Sequence, residues 1–201
     1  CVASISLNHA AGEYSDAVIA AVSVVSRVVM IGGFVVIGFG QGFQPVCGFN
    51  YGAGLYDRVV KGAKQGTLMA VICSTVITGI LLVFGKFLMG FFTDTAELVN
   101  MSNYLMRILA AGYIAVAITQ SLSGIMRGAG DTVTPMWISL ITTVAVRVPV
   151  AYGISYLTRT SELPLGRSEC IQISLLLSWV LGAVITAIFY SRGNWKNKAI
   201  K

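Results

Sequence analysis

Gly38-Phe-Gly-Gln-Gly-Phe-Gln-Pro-Val-Cys-Gly-Phe-Asn-Tyr-Gly-Ala-Gly-Leu-Tyr-Asp57 closes one long apolar run and leads into another. Glycines, a proline and an asparagine crowd what reads as a corner between two membrane helices. A second corner, Arg127-Gly-Ala-Gly-Asp-Thr-Val-Thr-Pro135, repeats the idea downstream. Working outward from these corners, the flanking runs fix the class. A membrane helix needs about 20 mostly apolar residues. Complete spans are expected near 17–43, 60–92, 97–126, 135–157 and 170–190, with 1–11 as the end of a truncated helix. Residues 191–201 form a basic tail, so the fold class is an all-α polytopic membrane protein.

Composition agrees. The 201 residues are 56% hydrophobic and 11% charged, with a mean hydropathy of +0.80, whereas soluble domains carry about 25% charged residues. A net charge of +6 would point to nucleic acid in a soluble protein. Here the basic residues cluster at the ends of apolar runs, the pattern of orientation charges. The side of the first corner holds Arg58, Lys61, Lys64, Arg127, Arg192, Lys196, Lys198 and Lys201, against Lys86, Arg159 and Arg167 opposite. That asymmetry predicts a cytoplasmic corner side and a cytoplasmic C-terminus.

Local signals set the expected helix starts. Ser15 and Asp57 read as caps, Asp94 and Glu97 as a capping-box-like pair, and Thr134-Pro135 as cap and first helical residue. Asp131 also reads as a capping acid. The four cysteines (Cys1, Cys47, Cys73 and Cys170) lack CxxC or metal spacing, so neither disulfides nor a metal site is expected. The Gly38–Gly42 glycines lack the strand and phosphate-facing helix of a dinucleotide loop. No Walker sequence, nucleophile elbow or metal cluster occurs, which disfavours an enzyme. No cofactor is expected.

Polar groups inside the spans are the functional candidates. Arg27 and Arg107 read as snorkelling side chains. Arg147, followed by Pro149, admits a structural and a functional role alike, because the proline frees a carbonyl one turn earlier. Asn50 is a polar, structural candidate. No Asp or Glu lies inside a complete apolar span, so a coupling carboxylate is expected outside this chain. Tyr113 and Gln120 share a helix face at two-turn spacing. Met30 and Phe34, four apart, suit a pocket for varied apolar cations. These four are the candidate substrate residues. His9 reads as an interface residue.

The two corners together resemble the MATE multidrug efflux family, closest to its bacterial MepA-like subgroup. Residues 40–58 are similar to its cytoplasmic loop between helices eight and nine, and Met126 to Met136 to that between ten and eleven. The resemblance implies two six-helix lobes with a substrate cleft between them, and alternating-access export of drugs or organic cations in exchange for H+ or Na+. This chain would be the C-terminal six-helix lobe. Its implied partners are a missing N-terminal lobe and membrane lipids, with no nucleic acid. The implied location is a bacterial inner or plasma membrane. Some members of that family carry cation-site acids in helices seven and ten; the span 98–126 has no such acid, so that site is not carried over. A lipid-linked oligosaccharide flippase, with Arg27, Arg107 and Arg147 as discriminators, and a non-transporting membrane subunit are the alternatives. The corner glycines suit either a static turn or a moving gate.

Overall fold

The computed structural model describes residues 16–93, 95–158 and 166–193, with side chains from 20–93, 95–154 and 172–193. The expected helix tail at 1–11, the Ser15 cap, His9, Asp94, most of the polar loop after Thr158 and nearly all of the basic tail lie outside them. Six helical stretches fill the rest: α1 (Asp16–Gly52), α2 (Tyr56–Gly90), α3 (Ala96–Ala110), α4 (Tyr113–Gly128), the run α5 (Val133–Leu140), π turn (Ile141–Val146) and α6 (Arg147–Thr158), and α7 (Gly166–Ser191). Among the described residues four segments are long and apolar enough to cross a membrane, and the bent pair α3–α4 makes a fifth.

The first corner is smaller than its composition implies. α1 runs unbroken through Pro45 to Gly52, and the turn itself is Ala53-Gly54-Leu55. A proline inside a membrane helix is tolerated where neighbouring groups satisfy the freed backbone. At 37 residues, α1 is about 55 Å long, well over the roughly 30 Å hydrocarbon thickness. The glycine-rich part is therefore an extension of the helix beyond its most apolar portion.

Both corners use one device. Leu55 N–H donates to the Asn50 carbonyl at 2.9 Å and Gly54 N–H to Tyr51 at 3.0 Å; Asp131 N–H donates to Met126 at 2.9 Å and Gly130 N–H to Arg127 at 3.0 Å. These are Schellman closures, which need a left-handed residue. Gly54 and Gly130 supply it at φ 72° and 87°.

Helix starts differ from those read in the sequence. Leu55, not Asp57, occupies the cap of α2, leaving Asp57 as a first-turn acid that meets the positive end of the helix dipole. α5 begins at Val133, ahead of Thr134-Pro135. The Asp131 carboxylate accepts from Thr134 N–H at 3.3 Å and Thr134 Oγ1 at 2.7 Å, so the aspartate supplies the capping oxygen. Thr95 stands at the cap of α3 without a side-chain bond.

The run 97–126 is two helices, bent by 46° between Ala110 and Tyr113. A Cβ at Gly112 would collide with the Trp179 ring, so the bend lets α7 pack into the notch. One apolar cluster joins α1, α2, α3 and α4 through Val25, Leu81, Met106 and Tyr113. A second, around Cys47, Val59 and Ile125, lies by the corners.

Candidate functional site

Helix α4 is the spine, packing on α1, α2 and α7. Its contact with α1 is backbone to backbone. A Cβ at Gly124 would lie 2.6 Å from the Gly40 carbonyl oxygen, and one at Gly128 2.6 Å from that of Gln44. Small residues permit this approach between membrane helices, and it fixes where the adjoining face of α4 points.

That face bounds a cavity of about 240 Å³. The run α5–π–α6 packs mainly on α7 and only lightly on α4, leaving a gap. Gln120, Ser123 and Arg127 of α4 enter it from one side, at spacings that share a helix face. Thr142 and Arg147 enter from the π turn and the start of α6, and Trp179 from α7. The π turn has a sequence cause in Pro149: its ring would press on the carbonyl four residues back, and a wider turn just upstream relieves it. Ser178 Oγ donates to the Thr142 carbonyl at 2.9 Å, satisfying a backbone group of the distorted turn.

Charge gives the cavity its character. Arg127 and Arg147 both line it, and the Nε of each is buried without a hydrogen-bond partner among the described residues. No carboxylate stands among its described lining residues. Two guanidinium groups lining one hollow, with no carboxylate among its described lining residues, give it a positive potential.

The residues singled out in the sequence separate. Gln120 and Arg147 meet in this cavity. Tyr113 is 1% exposed, and its hydroxyl donates to the Val29 carbonyl of α1. Its ring lies 6.3 Å from that of Trp179. Met30 and Phe34 stand 58% and 62% exposed on α1, away from the cavity. An apolar hollow of about 470 Å³ lies on another face of α1, against α2, walled by Ile31, Val35, Ile77, Ile80 and Phe91, and neither Met30 nor Phe34 lines it. Asn50 donates to the Val46 carbonyl at 2.8 Å, a bond within its own helix.

Arg27 and Arg107 are exposed. Arg107 sits in the last turn of α3, where a cation meets the negative end of the helix dipole. Sequence reading missed Arg127 as a cavity residue, because it counted only as a corner charge; its position seven after Gln120 was the available signal. Asn103 Oδ1 and both Gln172 amide atoms are also buried without a partner among the described residues. Among those residues no three His, Cys, Asp or Glu side chains converge to hold a metal.

Known proteins match this chain over most of its length. The family model MatE matches residues 2–153. The probable multidrug resistance protein NorM of Thermotoga maritima is 22% identical over 170 residues, covering 81% of this chain and 34% of that protein. The probable multidrug resistance protein YoeA of Bacillus subtilis is 26% identical over 196 residues, covering 96% and 40% respectively. The chain thus spans well under half the length of these relatives. With a family match over well more than half of its residues and an all-helical architecture of membrane-length segments, the chain belongs to the MatE family and is part of a multi-pass membrane protein.

Proposed function

We propose that this chain forms the C-terminal lobe of a secondary multidrug exporter, which moves cationic or amphipathic compounds by alternating access in exchange for H+ or Na+. The observation that carries the reading is the face of α1, where Met30 and Phe34 stand uncovered at a spacing that puts them on one side of the helix. Methionine and aromatic surfaces adapt to varied apolar cations. The two relatives, named as probable multidrug resistance proteins, support the substrate class. The corner side, with its basic residues, faces the cytoplasm in this reading, and the acid that exchanges the coupling ion lies in another part of the protein.

The test is dye accumulation in cells expressing the full-length protein, with proton and sodium gradients collapsed separately. Export should fail with one gradient and survive loss of the other. Met30→Ala with Phe34→Ala should lower export several-fold at equal membrane abundance, as loss of an aromatic contact to a cation costs about 1 kcal/mol or more. Export indifferent to both gradients would overturn the mechanism.

The flippase reading keeps one specific support, that Arg147 faces a cavity together with Arg127. Arg27 and Arg107, its other discriminators, are exposed.

A further inference from the structure

We propose that the cavity between α4, the π turn and α7 is a binding site for an oxyanion of the phosphate type, held between Arg127 and Arg147. The site does not rest on the export reading, whose substrate face lies on α1.

Size is the first argument. At about 240 Å³ the cavity falls below the range of drug pockets and suits a single small polar group. Charge is the second. Two guanidinium groups enter it with no carboxylate among the described lining residues, and each leaves a buried Nε unpaired. A free organic cation is repelled there. An oxyanion would pair both arginines, and the planar guanidinium fork matches phosphate geometry.

The hydroxyls sharpen the donor set. Thr119, Thr142 and Ser178 give their protons to the backbone carbonyls of Ala115, Ile138 and Thr142. Ser123 and Gln120, which also line the cavity, keep their donors for a ligand. They stand one and two turns before Arg127 on the same face, so α4 presents a graded row of donors ending in a fixed charge. Arg147 faces that row from α6. The same chemistry fits a free phosphate and the phosphate of a lipid headgroup.

Trp179 walls the cavity and gives a reporter. The full-length protein, with its other tryptophans replaced by phenylalanine, would be purified in lipid-free detergent and titrated with inorganic phosphate. It would also be placed in phosphatidylcholine nanodiscs with and without phosphatidic acid. A saturable change in Trp179 emission with phosphate identifies a free anion; a change only with phosphatidic acid identifies a lipid-borne one. Either supports the site. Arg127→Gln and Arg147→Gln should each weaken the response by about tenfold or more, the scale of a charged hydrogen bond. Arg127→Lys and Arg147→Lys should retain part of it, and Arg58→Gln, exposed in the first turns of α2, should leave it unchanged. The lysine variants keep the test readable if a glutamine variant fails to fold. No saturable response to either probe, an undiminished response in folded R127Q and R147Q, or a saturable response to tetraphenylphosphonium instead would overturn the proposal.

Discussion

At the scale of single residues, Tyr113 shows how one side chain can look functional in the sequence and serve the fold. Its ring is enclosed by α1, α4 and α7, and its hydroxyl is spent on the Val29 carbonyl. A buried phenol without a partner would carry a desolvation cost, so the bond holds α4 in register against α1. Tyr113→Phe should lower stability by about 1 kcal/mol and leave the spectrum of exported compounds unchanged. Thermal unfolding in detergent and a resistance panel measure the two effects. A changed spectrum at unaltered stability would mean that the tyrosine contacts substrate. Gln120, two turns along the same face, has the opposite fate, because α4 ends beside the gap left by α5–π–α6. Spacing alone placed both on one face; Tyr113 is enclosed by α1 and Trp179, while Gln120 opens on the gap.

At the scale of elements, helix identity was legible and helix ends were not. Long apolar runs leave little choice in a bilayer, since an unsatisfied backbone forces helix. Glycine and proline lose their punctuating force there. The stretch Gly38–Gly52 reads as a corner by the rules of soluble proteins, yet it is helix, and of its glycines Gly40 and Gly48 meet α4 at the crossing. Gly54 and Gly130 mark the two corner turns through their positive φ, as Gly193 does after α7. The static part of the glycine pattern can be tested on the crossing itself. Gly124→Ala places a methyl group against the Gly40 carbonyl oxygen, where backbone on both sides blocks relief. It should cost roughly 1–3 kcal/mol, as overpacking does. Gly79→Ala, with nothing within 4 Å of the added carbon, should be neutral or stabilising by up to about 1 kcal/mol, from helix propensity alone. Equal thermal midpoints for the two variants would show that the crossing is loose, and would turn attention to the glycines as moving contacts.

At the scale of the whole molecule, charge and packing together argue for an orientation. Arg58, Lys61 and Lys64 at the start of α2, Arg127 at the end of α4 and Arg192 after α7 all lie toward the end of the bundle where Gly54 and Gly130 close their turns. Exposed apolar side chains such as Phe49, Phe84 and Phe87 supply no such asymmetry, because lipid accepts them on every side. Basic residues resist translocation, so the proposed orientation keeps their end in the cytoplasm. Ala53 sits in the turn at that end, and Thr95 sits just before α3 at the other; both are exposed. In a background with the native cysteines replaced by alanine or serine, Thr95→Cys should react with a membrane-impermeant maleimide in intact cells. Ala53→Cys should react only after permeabilisation. The reversed pattern would invert the bundle and put the corner charges outside. It would also move the Arg127 end of the arginine-lined cavity to the opposite leaflet.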